Sequence, residues 1–229
     1  VLKRMLLSLE TDQKDVFNRL IGMIKKARKV VFVASGTSYH ATLLGAYYLH
    51  RQNVEAQTLI ASEFEHFALI DNKSLVIAFS QSGETMDVID ALTYAKGKGA
   101  TIAAVVNVPY STIQRMADLS INLLAGQEVC VAATKSFVNQ AALLLRIAKE
   151  FGYEAHVEQL PEKIEALLAK AEEIKKIAES VYMKNDIYVL GRGLGYPVAR
   201  EIALKIKEIS YIHAEGMMGG ELKHGTIAL

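Results

Sequence analysis

The sequence predicts an α/β fold: a doubly wound parallel sheet, followed by the start of a second, similar domain. Three observations predict it. Short runs of aliphatic and β-branched residues, apolar on both faces, recur at 29–34, 54–60, 74–80, 101–108 and 118–124. Segments with apolar residues at helical spacing lie between them. The stretches 30–49 and 187–206 also share one pattern of strand, glycine-bearing turn, tyrosine (Tyr39, Tyr196) and long helix, which reads as an internal duplication. Strands buried on both faces and alternating with helices belong in a parallel sheet covered by helices. Ligands of such sheets bind beyond the carboxyl ends of the strands.

Taken in order, Val16, Leu20, Ile21, Ile24 and Ala27 predict an amphipathic helix over 11–27. The run KVVFVA (29–34) predicts a strand that ends at Ser35-Gly36-Thr37-Ser38, where a helix begins. VEAQTLI (54–60) is a strand followed by a short helix near 61–68. SLVIAFS (74–80) leads into a helix at 84–97, TIAAVVNV (101–108) stops at Pro109, and DLSINLL (118–124) follows a short helical turn. A long helix covers 132–151. A charged helix over 158–182 carries an apolar stripe of Ile164, Leu167, Leu168, Ala171, Ile174 and Ile177. DIYVLGRG (186–193) then starts a new strand before a helix at 196–212. These elements predict a first domain over 1–157 with an N-terminal helix, and the start of a second over 158–229. One strand and its helix cannot close a parallel sheet, so the second domain reads as incomplete. The absence of an initiator Met reads as the middle of a longer chain.

Composition removes several function classes. Lys and Arg number 26 and Asp and Glu 25, a formal charge of +1, so nothing points to nucleic acid or an anionic membrane surface. An anionic ligand must be caught by a local site. No apolar run reaches the length of a membrane span, and Val1-Leu2-Lys3-Arg4 does not start a signal peptide, so the cytoplasm is the expected location. The single cysteine, Cys130, has no partner for an internal disulfide, and its neighbours Val129, Val131 and Ala132 predict a buried small hydrophobe. No Cys or His pair has zinc-ligand spacing, and neither a metal nor a cofactor is expected. Gly191-Arg192-Gly193-Leu194-Gly195 follows a strand, but Tyr196 stands where a dinucleotide loop needs its third glycine.

Three motifs could carry chemistry. Ser80-Gln81-Ser82-Gly83-Glu84-Thr85 joins a strand to a helix, and a helix N-terminus rich in hydroxyls suits a phosphate. The alternative is an ordinary capping box. Further hydroxyl loops at Gly36-Thr37-Ser38 and Ala133-Thr134-Lys135 favour the first reading. Glu201, Lys205 and Glu208 share one helix face, either as a functional cluster or as a solvated charged face. The stretch 215–225 reads as a glycine-rich loop carrying Glu, Lys and His224, a proton carrier or a plain surface histidine.

At these residues the chain resembles the isomerase domain of glutamine–fructose-6-phosphate aminotransferases. The motifs are S-Q-S-G-E-T at 80–85, G-T-S-Y at 36–39, V-A-A-T-K at 131–135, L-G-R-G at 190–193, A-L-K-I-K-E-I-S-Y-I-H-A-E at 203–215 and G-E-L-K-H-G at 220–225. The first is shared across sugar isomerase (SIS) domains, whereas 203–225 is far more specific. The resemblance implies a flavodoxin-like SIS fold and the conversion of fructose 6-phosphate plus ammonia to glucosamine 6-phosphate. It implies that Ser80, Gln81, Ser82 and Thr85 hold the phosphate. Ser38 would contact the sugar, with Thr37, Val131 and Ala133 in the same substrate-binding set. Glu208 would move a proton between C1 and C2, Lys205 would assist at the sugar oxygens, and His224 would help open the ring from the partner subunit of a homodimer. Where this chain has Ala133 the family usually has Ser. The family's glutaminase domain and its C-terminal lysine tail have no counterpart in the chain, which implies that it does not use glutamine alone and turns over poorly. A stand-alone sugar-phosphate isomerase, an amino-sugar-phosphate deaminase and a non-catalytic sugar-phosphate sensor are the other readings of the same residues.

Overall fold

A computed structural model describes residues 1–228. The chain divides into two compact units: Val1–Val129 with Ala133–Ala155, and Cys130–Ala132 with the chain from His156 on.

The first unit runs α1 (Leu2–Ser8), α2 (Lys14–Lys26), β1 (Lys29–Ala34), α3 (Gly36–His50), β2 (Ala56–Ile60), α4 (Phe64–Phe67), β3 (Ser74–Ser80), α5 (Met86–Gly97), β4 (Thr101–Val106), α6 (Thr112–Met116), β5 (Leu119–Asn122) and α7 (Lys135–Lys149). The five strands pair in the order β2-β1-β3-β4-β5. Every pairing is parallel, with Val31 opposite Gln57 on one side and Val76 on the other. All of β3 is buried, as expected of a central strand with no wet face. Phe32 and Phe79 meet edge to face in the core, with ring centroids 5.7 Å apart. The chain leaves β1 toward β2 on one side, and β3 starts back on the other. The order therefore reverses between β1 and β3, where sheets of this kind bind their ligands.

Packing explains the helices. α2 buries Phe17, Leu20, Ile21 and Ile24, the stripe legible in the sequence. α3 and α7 pack together so closely that a Cβ on Gly45 would lie 2.4 Å from Leu144 Cδ2. α1, which the apolar pattern does not announce, buries Leu2 and Met5 and rests against α7.

The second unit contains α8 (Leu160–Leu168), α9 (Ala171–Val181), β6 (Asp186–Gly191), α10 (Gly195–Ser210) and β7 (His213–Met218). The single helix expected over 158–182 is two, broken at Ala169 and Lys170. Neither residue is a helix breaker, so the local sequence does not announce the break. The expected loop over 215–225 also needs correction. α10 ends at Tyr211, whose φ of 60° turns the chain out of the helix, and β7 then pairs in parallel with β6. The strand fits because Gly216 lets it approach α10: a Cβ there would lie 2.4 Å from Arg200 Cα. Among the described residues no helix is long and apolar enough to cross a membrane.

Candidate functional site

β1 and β3 are neighbours, so the loops that follow them open at the same edge of the sheet. Ser80 ends β3 fully inside the protein. Its Oγ accepts the Gly83 N–H at 2.9 Å and lies 3.3 Å from Thr85 Oγ1. Ser82 Oγ accepts the Glu84 N–H at 3.1 Å. The hydroxyls thus shape the turn, and Gln81, Ser82 and Thr85 remain half-buried at its surface. Gly83 has φ of 69°, and a Cβ on it would lie 2.0 Å from Ser111 Oγ, so only glycine closes this turn. Thr85, extended, stands at the N-cap position of α5, where its carbonyl accepts the Val88 and Ile89 N–H groups.

A carboxylate in a phosphate loop would repel its ligand. Glu84 Oε1 instead accepts the Thr112 N–H of α6 at 2.7 Å. That bond, with help from the Thr112 side chain and Arg115, holds the Glu84 carboxyl below the usual carboxylate range. The loop contains no Lys or Arg, leaving N–H groups and hydroxyls as its means of holding an anion.

Across the reversal point, Ser35 stands at the N-cap position of α3 without a side-chain bond to it, and Gly36 follows with φ of 54°. Ser38 is buried, and its Oγ accepts a hydrogen from Gln140 Nε2 at 2.9 Å. The Ser35 Oγ, also buried, has no partner among the described residues. Thr37 is half-buried in the first turn of α3.

The 131–135 stretch departs from expectation. It does not open the helix at 132; α7 begins at Lys135, and residues 125–134 form an irregular loop after β5. Val131 is 86% exposed and Ala133 half-buried. Cys130 is exposed rather than buried, because its apolar neighbours lie on this loop and not on a strand. Glu128, which the sequence reading did not single out, occupies the start of α7. Its Oε1 accepts the Thr134 N–H at 3.1 Å, the Ser136 N–H at 2.8 Å and the Ser136 hydroxyl at 2.9 Å. Burial pushes this carboxyl up, but the Ser136 and Thr134 bonds, with Lys135 nearby, outweigh it and bring it below the usual range. The N-terminus of α7 therefore already holds an anion of the protein's own.

In the second unit, Lys205 lies between two carboxylates of α10. Its Nζ is 2.6 Å from Glu208 Oε2 and 3.4 Å from Glu201 Oε1. Glu201 is only 5% exposed, so the cluster is not a solvated charged face. His224 is exposed, just past the single turn Glu221–Lys223.

Known proteins place this arrangement in a family. The model of the SIS domain matches residues 23–149 and 180–229. The chain is 45% identical to a glutamine–fructose-6-phosphate aminotransferase (isomerizing) from Aquifex aeolicus, over 90% of its own length and 36% of that protein's. It is 40% identical to the one from Pyrococcus horikoshii, over 98% of its own length and 41% of the other's. It therefore spans well under half of the relatives it matches. The C-terminal domain of glucosamine-fructose-6-phosphate aminotransferase from Francisella tularensis superposes with a TM-score of 0.80 at 36% identity, covering 92% of this chain and 64% of that one. With a parallel sheet ordered 2-1-3-4-5, a hydroxyl-lined turn at its reversal point and a family model matched over most of its length, this chain belongs to the SIS domain family.

Proposed function

We propose that this chain binds fructose 6-phosphate and carries the isomerase part of a glutamine–fructose-6-phosphate aminotransferase, a homodimeric cytoplasmic enzyme. In this reading residues 1–157 form its first SIS domain and 158–229 the start of a second. Ser80, Gln81, Ser82 and Thr85 hold the phosphate, with α5 supplying the positive end of its dipole. Ser38 contacts the sugar, and Thr37, Val131 and Ala133 complete its surroundings. After ammonia replaces the C2 oxygen, Glu208 takes a proton from C1 and returns it to C2, giving glucosamine 6-phosphate. Lys205 bears on the sugar oxygens, and His224, given across the dimer, opens the ring.

The observation that carries the reading is the Lys205–Glu208 pair, 2.6 Å apart on α10. A sugar-phosphate sensor needs no acid–base pair. Sequence identity of 40% and 45% to two enzymes of that name supports the same choice.

Calorimetry with fructose 6-phosphate tests the binding half: the 229-residue chain should bind, and Ser82→Ala should bind more weakly. A folded chain that takes up neither fructose 6-phosphate nor glucosamine 6-phosphate would rule the reading out. In the longer parent, Glu208→Gln should lower isomerisation at least a hundredfold while leaving glutamine hydrolysis intact, the usual scale for losing a general base being ~10²–10⁴.

A further inference from the structure

Residues 125–134 carry Val131 and Ala133 without any regular secondary structure to fix them. A segment of this length would be costly to order without dedicated contacts. Asn107 supplies them at its start: Nδ2 donates to the Gly126 carbonyl at 2.7 Å, and Oδ1 accepts the Ala125 N–H at 2.8 Å. Glu128 supplies them at its end. Its side chain is 7% exposed, and one oxygen takes three hydrogen bonds from Thr134 and Ser136. Lys135 Nζ reaches back to the Gln127 carbonyl at 2.5 Å. The backbone between Glu128 and Thr134 is thereby closed into a ring. A carboxylate at a helix start also gains from the dipole.

We propose that Glu128 is a positioning residue for sugar recognition: by capping α7 it fixes the 129–134 loop, and so sets how Val131 and Ala133 meet the sugar. This rests on the function proposed above. It has a corollary. With the Thr134 and Ser136 N–H groups spent on Glu128, the start of α7 is already matched to a carboxylate, and the phosphate is left to the turn at 80–85. Sugar affinity and phosphate affinity should therefore respond to different substitutions.

The test uses the 229-residue chain and the variants Glu128→Ala, Glu128→Gln and Ser82→Ala. Affinity for fructose 6-phosphate and for inorganic phosphate is measured by calorimetry and competition, and amide hydrogen exchange is followed in peptides over 128–138. Glu128→Ala should speed exchange at Thr134 and Ser136, weaken fructose 6-phosphate about tenfold and leave inorganic phosphate unchanged. Glu128→Gln keeps an acceptor without the charge and should fall between, which covers the case of a poorly folded Ala variant. Ser82→Ala should weaken both ligands together. Unchanged exchange in the Glu128 variants, or faster exchange with fructose 6-phosphate affinity intact, would overturn the proposal. An unsubstituted chain that binds neither ligand would instead overturn the functional reading, while the exchange data would still decide whether Glu128 holds the loop.

Discussion

Gln140 donates to Ser38 at 2.9 Å although 102 positions separate them in sequence. The bond joins α7 to the first turn of α3, and both side chains are buried. Ser38 spends its oxygen on this bond, which leaves its hydrogen to be aimed elsewhere. The other end of Gln140, Oε1, has no partner among the described residues. Gln140→Leu therefore removes one good bond and one unpaired acceptor together. The two effects oppose, so unfolding in urea should change by only about 1 kcal/mol. Fructose 6-phosphate affinity should fall more than that, because Ser38 loses its orientation.

Gly83→Ala should be severe. The new methyl would lie 2.0 Å from Ser111 Oγ, and the residue would have to keep φ of 69°. We expect a loss of more than about 2 kcal/mol in unfolding free energy, together with loss of sugar-phosphate binding. Adding Ser111→Gly should recover the collision but not the backbone cost of about 1 kcal/mol. Denaturant midpoints of the single and double variants separate the two.

Glu84 should make stability depend on acid. Its carboxyl lies below the usual range in the folded chain because it accepts the Thr112 N–H, so it favours folding above the unfolded carboxylate value of about 4.3. That contribution disappears as pH falls through the lower, folded value. The melting temperature of Glu84→Gln should therefore lie below that of the unsubstituted chain at pH 7. The gap should narrow below about pH 4. A gap constant from pH 7 to pH 3 would refute the account.

Lys205 should matter to folding as well as to chemistry. It neutralises Glu201, which is 5% exposed, as well as Glu208. Lys205→Met takes the ammonium away from the buried Glu201 carboxylate and should cost about 1–3 kcal/mol. Glu201→Gln in the same chain should restore much of that loss. Chemical denaturation of the four forms in a double-mutant cycle measures the coupling.

The five-stranded sheet was legible because its strands are apolar on both faces, as at Val30, Val31, Phe32 and Val33, and alternate with helical segments, a combination that suits a covered parallel sheet. The turn at 80–85 was legible as a strand-to-helix junction, although the same hydroxyls and glycine also suit an ordinary capping box. What was not legible depends on distant partners. β7, His213–Met218, contains no β-branched residue; pairing with β6 and close approach to α10 at Gly216 make it a strand. α1 has seven residues, too short for a period to show. Glu128 lies six and eight positions ahead of the groups it binds, outside the spacing of three that marks a capping box. Cys130 looked buried because Val129 and Val131 flank it, but apolar neighbours predict burial only where a strand or helix carries them inward.

Parallel pairing throughout the first unit governs how it can be made. No two of its strands can zip together as a hairpin, since each pair is joined by a crossover. α1 and α3 both rest on α7, the last helix of the unit. On a ribosome, growing at about 5–20 residues per second, the faces of α1 and α3 that meet α7 must therefore wait uncovered until Lys135–Lys149 has emerged. Truncations ending before α7 should be caught by chaperones, and those ending just after it should escape.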